Sequence, residues 1–403
     1  MAHVIQTEAL IEEGIISSDQ GAIIARRSRQ VMVSLSINSV LCFGIIAAAA
    51  GFIGLLANAL AVAVVGALFL GIGATILIRA SDIYSMFGTA SALIGAGMLT
   101  GGASIEILDG LGEQTGGLVL IGLGALGAAL AAYFFKNGTE RTSFLSGIIL
   151  LMTGAMHLGG LYLWAGAAEL GEVAVPLVHF YVAAATLAMG MFIDVRLITA
   201  LAIIPFAQML DTGTFYWSAM YAFYSPETTL SILQLTVAMG LCIAVSGVLV
   251  DRYRRHTHMF GIMAFIVANL CFLVGSLWGD VVGQTIWGPG TRSWRYDGTY
   301  DEFRAATEAF EASTLVIHEH VYSIVWAILL IVAAFWAAGT NRRGIFNAAM
   351  TFGGIHAYTQ AFETFYDEPL AYVIGGLAAI PLAWGLWRLN DTFESRTASP
   401  LTA

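Results

Sequence analysis

Charge is what this chain most lacks. Only 11% of its 403 residues are Asp, Glu, Lys or Arg, where a soluble globular domain carries about a quarter. Hydrophobic residues make up 58% and mean hydropathy is +0.80, which excludes a water-soluble globular fold and requires a membrane protein. Strict polar/apolar alternation is also missing, and this rules out an outer-membrane barrel. Cysteine is scarce: Cys42, Cys242 and Cys271 all sit in apolar runs, with no CxxC pair and no disulfide framework. They read as small core residues. A positive surplus is absent too. The net charge of -10 and a pI near 5.2 remove the electrostatic case for nucleic acid, and none is expected as a partner. GxSxG, HExxH and Walker A sequences do not occur, so the common hydrolase and ATPase mechanisms have no motif behind them. Proline numbers 7 and glycine 45, a ratio that suits helices packed closely through small residues.

What is present is a succession of apolar runs, each roughly 18 to 25 residues long and so able to cross a bilayer as a helix. About twelve are expected, at 31–54, 57–78, 83–102, 117–135, 142–165, 175–195, 197–224, 229–250, 259–282, 313–338, 344–365 and 369–386. The basic residues give an independent check, because Lys and Arg stay on the cytoplasmic side. Starting inside, alternate connections hold Arg26, Arg27 and Arg29; Arg79; Lys136 and Arg141; Arg196; Arg252, Arg254 and Arg255; Arg342 and Arg343; Arg388 and Arg396. Only Arg292, Arg295 and Arg304 fall elsewhere, in one long outer loop where acids accompany them. The expected fold is therefore all-α, a polytopic transmembrane helical bundle of about twelve spans with both termini cytoplasmic. A cleaved signal peptide is not expected, since a mixed-charge tail of about thirty residues precedes the first apolar run.

This topology divides the chain into a cytoplasmic amphipathic hairpin at 1–30, spans one to nine over 31–283, an outer loop over 284–312, spans ten to twelve over 313–388 and a cytoplasmic tail at 389–403. In the hairpin, Gly14 suits a helix C-cap, and Ser17 with Gln20 suits a capping box that opens a second short helix. The outer loop carries Trp287, Trp294, Tyr296 and Tyr300, then a helical face of Phe303, Ala306 and Phe310. It reads as an aromatic interface segment followed by a short helix. Both pieces are also where a partner protein would dock; the bilayer is the other partner the composition requires.

Leu10-Ile11-Glu12-Glu13-Gly14-Ile15-Ile16-Ser17 with Gln20, feeding Arg26 and Arg27 into glycine-rich helices, resembles the opening of domain-of-unknown-function family 2157. The closing segment, with Phe362-Glu363 before Leu370 and then Ile374-Gly375-Gly376-Leu377, is similar to that family's last helix pair. The resemblance implies a bacterial inner-membrane protein and does not imply any particular activity.

Ionisable side chains inside a bilayer are costly and are functional candidates by default. His157, His179, Asp211, His318, Glu319, His320, His356 and Glu363 all fall in the outer halves or outer ends of the expected spans. A polar cavity open to the periplasm would explain that asymmetry. Asp211-Thr212-Gly213-Thr214 interrupts the seventh run just past Pro205 and leads into an aromatic stretch. A broken helix there would place Asp211, Tyr216, Trp217 and Tyr221 with His356 and Glu363 around a substrate; an outer aromatic belt is the alternative reading. Asp211, Glu319 and Glu363 are the groups that could exchange protons. His157, His179, His318 and His320 are the candidate metal ligands, although residues two apart on a helix point about 200° away from each other. His318 and His320 would therefore share an ion only where the helix end is unwound. Three functions compete: a proton-coupled transporter or permease of a small polar solute, a non-catalytic membrane subunit or scaffold, and a redox protein in which histidines bind haem or copper. No motif predicts a cofactor, and an enzyme is the less favoured reading.

Overall fold

The structure is a computed structural model. It describes the chain except residues 1–9, 12–13, 57, 80–83, 169, 171–173, 218–219, 291–295, 341, 366–368, 371–372, 374–375, 378–379, 382–383, 385–387 and 389–403. Most of the expected twelfth span and the C-terminal tail lie outside the described residues. Two compact units, Met1–Leu170 and Gly171–Ala403, divide the chain. Among the described residues seven helices are long and apolar enough to cross a membrane. The chain is a helical membrane protein, and among the described residues its strands amount to two small two-stranded sheets.

In the first unit, Gly14 turns the chain at φ 70°, its N–H donating to the Ile11 carbonyl at 3.0 Å. The Ser17 N–H then donates to Gln20 Oε1 at 2.9 Å while the Gln20 N–H donates to Ser17 Oγ at 3.2 Å. This reciprocal cap opens α1 (Ser18–Leu56), which runs on for 39 residues. The short helix expected after Gly14 and the first apolar run are thus one element. α2 (Ala59–Arg79) follows, its first turn capped by Asn58 Oδ1, which accepts from the Ala61 N–H at 2.8 Å.

α3 (Ser85–Asn137) is 53 residues long and is broken at Gly112, where φ 73° and ψ 172° leave the helical region. Its first half runs alongside α4 (Glu140–Ala167) in the same direction, with Leu93 in one cluster with Leu145 and Gly97 facing Met152. Its second half runs the opposite way, with Gly117 against Gly160 and Trp164 and Gly124 against Thr153 and His157. The chain therefore reverses at Gly112. Glycine sets how closely these helices approach: a Cβ on Gly66 would stand 2.5 Å from the Leu99 nitrogen, and one on Gly102 2.7 Å from the Ala59 carbonyl oxygen. Such contacts give helices in lipid their dispersion energy, where no hydrophobic drive separates one apolar surface from another.

The second unit is centred on α9. α5 (Ala174–Ile193) is followed by two single-turn helices, α6 (Arg196–Leu201) and α7 (Ile203–Gln208), and then by an antiparallel hairpin of β1 (Gly213–Trp217) and β2 (Met220–Tyr224). This corrects the expectation of one membrane helix over 197–224. Pro205 has no N–H for the Leu201 carbonyl, Asp211 takes φ 58°, and the aromatic run beyond it has strand rather than helix preference. The hairpin pairs Gly213 with Tyr224 and Tyr216 with Tyr221, which satisfies backbone groups that lipid could not.

α8 (Thr228–Ser246) and α9 (Asp251–Trp278) form the next antiparallel pair. A short pairing of β3 (Asp280–Val281) with β4 (Val316–Ile317) brackets the outer loop, in which α10 (Tyr300–Ser313) is capped reciprocally by Thr299 and Glu302. α11 (Glu319–Gly339) and α12 (Arg343–Phe365) complete the unit. One buried cluster joins Ile203 and Leu235 to Ala264, Ala268 and Cys271 of α9. A second joins Phe272 of α9 to Tyr322, Trp326 and Leu330 of α11 and Ala349 and Phe352 of α12.

Candidate functional site

Two polar networks of the second unit lie at its opposite ends. At one end two buried carboxylates are fully engaged. Glu227, 1% exposed, accepts from the Gly283 N–H at 2.5 Å, the Thr285 N–H at 3.1 Å and the Thr285 hydroxyl at 2.5 Å. Asp280 accepts from the Thr228 N–H at 3.2 Å and the Thr229 N–H at 2.9 Å, so it caps α8 from 51 residues away in sequence. The Thr229 and Tyr322 hydroxyls also bond to it. Beside them Thr212, Ser225 and Ser231 form a buried hydroxyl triangle with sides of 3.0, 2.6 and 3.1 Å. These contacts tie the hairpin, the 280–285 turn and the start of α11 to one helix N-terminus. Charge-assisted bonds of this kind suit anchors whose charge is already used.

The opposite end is basic. His256 and Thr199 have no exposed surface; the Thr199 hydroxyl lies 2.6 Å from His256 Nδ1 and Asp194 Oδ1 lies 2.9 Å from Nε2. Arg252 and Arg255 stand 3.9 and 3.6 Å from the other carboxylate oxygen, and Arg252 donates to the Met191 and Phe192 carbonyls that end α5. The hydrogen bond from His256, helped by the two arginines, holds the Asp194 carboxyl below its ordinary pKa despite partial desolvation. Thr, His and Asp in a row is the order of a hydrolase triad. With Thr199 and His256 fully enclosed no substrate reaches the hydroxyl, and the arrangement joins α5, α6 and α9.

The sequence-predicted residues fall in both units. His157 belongs to the first unit, where its Nδ1 lies 2.9 Å from the Ile121 carbonyl and joins α4 to α3. His179 and Asp211 interact electrostatically with each other in the second unit. Tyr216 is exposed on the hairpin; Trp217 and Tyr221 pair through their backbones, with Met220 and Tyr216 respectively, and their side chains lie outside the described residues. His356 packs edge-on against Trp326 at 4.7 Å, and Trp326 donates to Asn269 at 2.8 Å. Glu363 is exposed near the end of α12. His318, Glu319 and His320 do come together: His318 has extended backbone, the helix begins at Glu319, and the two imidazoles stand 4.9 Å apart.

Two cavities open in the second unit, and none of the predicted residues lines either. One, of about 490 Å³, lies between α8, α9, α11 and the start of α12. Met239, Ile243, Phe265 and Trp336 give it apolar walls, and Arg342 and Arg343 give it a cationic mouth beside the His258 imidazole; the described lining contains no carboxylate. The Arg342 guanidinium lies 5.2 Å over the Trp336 ring, which places the cation at that mouth. The other, of about 790 Å³, is almost wholly apolar and lies between α5, α7, α8 and α9; Cys242 and Thr257 belong to the walls of both. Sequence reasoning used Arg342 and Arg343 as topology markers only and passed over His256 and His258. The run Arg252-x-Arg254-Arg255-His256-x-His258, which puts a cationic face on the first turns of an apolar helix, was the signal that pointed there. No protein family, curated protein or solved structure matches this chain.

Proposed function

We propose that this chain is a multi-pass protein of a bacterial inner membrane that binds an amphiphilic anion, with a phosphate- or carboxylate-type head at Arg342, Arg343 and His258 and a hydrocarbon tail along the walls of the 490 Å³ cavity. The observation that carries this reading is the pairing of an apolar cavity with a carboxylate-free cationic mouth. Basic pockets between membrane helices on the cytoplasmic side hold anionic lipid heads by the same physics. The volume lies in the range of small-molecule sites. The neighbouring apolar cavity suits a second alkyl chain.

The positive-inside bias supports about twelve crossings with both termini cytoplasmic, and Arg252, Arg255, Arg342 and Arg343 at one end of the second unit agree with it. The bacterial inner membrane is what the resemblance of the chain's two ends to domain-of-unknown-function family 2157 would imply. Transport of the bound molecule, with proton exchange at Asp211, Glu319 or Glu363, is a further step that this geometry does not require. Native mass spectrometry of the purified protein with phosphatidylglycerol and phosphatidylcholine tests the reading. Retained phosphatidylglycerol adducts should weaken roughly tenfold in the Arg342→Gln/Arg343→Gln double variant, the effect of losing about 1.4 kcal/mol. Equal retention of the neutral lipid, or no change in the variant, would contradict it.

A further inference from the structure

We propose that His318, Glu319 and His320 form a binding site for a first-row transition-metal dication, independent of the anion cavity. Two imidazoles and one carboxylate make up a mixed nitrogen and oxygen donor set that suits zinc, nickel or copper and does not suit magnesium or calcium, which take oxygen ligands. One ligand atom from each residue lies within 4.8 Å of the others. Around a single ion, with bonds of about 2.0–2.2 Å, such atoms stand roughly 3.0–3.6 Å apart. The side chains of His318 and Glu319 are 65% and 36% exposed and His320 is exposed as well, so rotation about side-chain bonds covers the difference. Glu319 already reaches His318 Nδ1 at 3.0 Å.

The backbone beneath them is fixed. Ile317 pairs with Asp280 across β3 and β4, the Val282 N–H donates to the Leu315 carbonyl at 3.0 Å, and the Val321 N–H to the His318 carbonyl at 3.0 Å. Gly279 takes φ 67° and leaves room for the Ile317 carbonyl, which a Cβ would meet at 2.6 Å. On α11, two residues past His320, the Tyr322 hydroxyl is held by Thr229 at 2.6 Å. The extended residue His318 is what turns its ring toward His320; in a regular helix the two would face apart. An ion bound here would have three protein ligands and an open position facing solvent.

The test is isothermal titration of the protein, purified without a histidine tag and stripped with chelator, using Zn²⁺, Ni²⁺ and Mg²⁺. We expect one Zn²⁺ or Ni²⁺ per chain, no saturable Mg²⁺ binding, and at least about tenfold weaker binding in His318→Ala and His320→Ala. His157→Ala and His179→Ala should bind as the parent does. If either site variant fails to fold, electron paramagnetic resonance of Cu²⁺ on the parent protein should show hyperfine coupling to two nitrogens. Unchanged affinity in the folded variants, stoichiometric Mg²⁺ binding, or a copper spectrum with fewer than two nitrogen ligands would overturn the proposal.

Discussion

Single residues decide which charges in this protein are structural. Glu227 is enclosed and accepts three hydrogen bonds, so Glu227→Ala strands the Gly283 and Thr285 donors. We expect a loss of about 3 kcal/mol, seen as a lower melting temperature of the purified protein. Asp194 contributes pH dependence at the basic end. Its folded pKa is depressed, so the stability it contributes is present above the ordinary carboxylate value, about 3.9, and is lost as pH falls through the lower folded value. Asp194→Asn keeps a residue that tolerates the observed φ of 58° and should remove that component from the acid limb of a melting-temperature profile. An unchanged limb would show that other carboxylates govern it. Local pairings of this kind were readable in advance where they span three residues, as Ser17 with Gln20 does; Thr299 with Glu302 has the same spacing and was passed over. Glu227 with Thr285 and Asp280 with Thr228 were not readable, because the partners lie more than 50 residues apart and apolar helices carry no mark of which neighbour they meet.

At the level of elements, glycine and backbone conformation set the helix contacts. Gly95 stands where a Cβ would press on the backbone of Leu70 and Gly66, whereas Gly122 faces open space. Gly95→Ala should therefore destabilise by about 1–3 kcal/mol through overpacking, and Gly122→Ala should be neutral or stabilising by up to about 1 kcal/mol through helix propensity. Thermal unfolding in one detergent measures both; equal effects would sink the close-packing account. Most apolar helices were legible because length and composition suffice to mark them. The hairpin after Asp211 was not, since short apolar strands and buried helical segments look alike in sequence. The unwound start of α11 was named as a condition for His318 and His320 to meet, but only the β3–β4 pairing, a long-range contact, supplies it.

For the whole molecule, the asymmetry between ends ties topology to function. Within the second unit Asp194, Arg252, His258 and Arg342 mark one end and Glu227, Asp280 and Thr285 the other, so the proposed anion site would open to the cytoplasm if the positive-inside bias sets the orientation. Glu308 is exposed on α10 beyond the opposite end. A cysteine introduced by Glu308→Cys should react with an impermeant maleimide in intact cells; reaction only after permeabilisation would invert the orientation. Sequence alone located the membrane and put its candidate site among the outer carboxylates and histidines; it did not single out the cavity at Arg342 and Arg343, because depth along a helix does not reveal which side chains border a cavity. The most direct measurement is a density map of the protein in phosphatidylglycerol nanodiscs. Elongated density is expected between α8 and α11, its head within hydrogen-bonding distance of Arg342 or Arg343; a cavity that is empty, or closed by side chains, would contradict the proposed anion site.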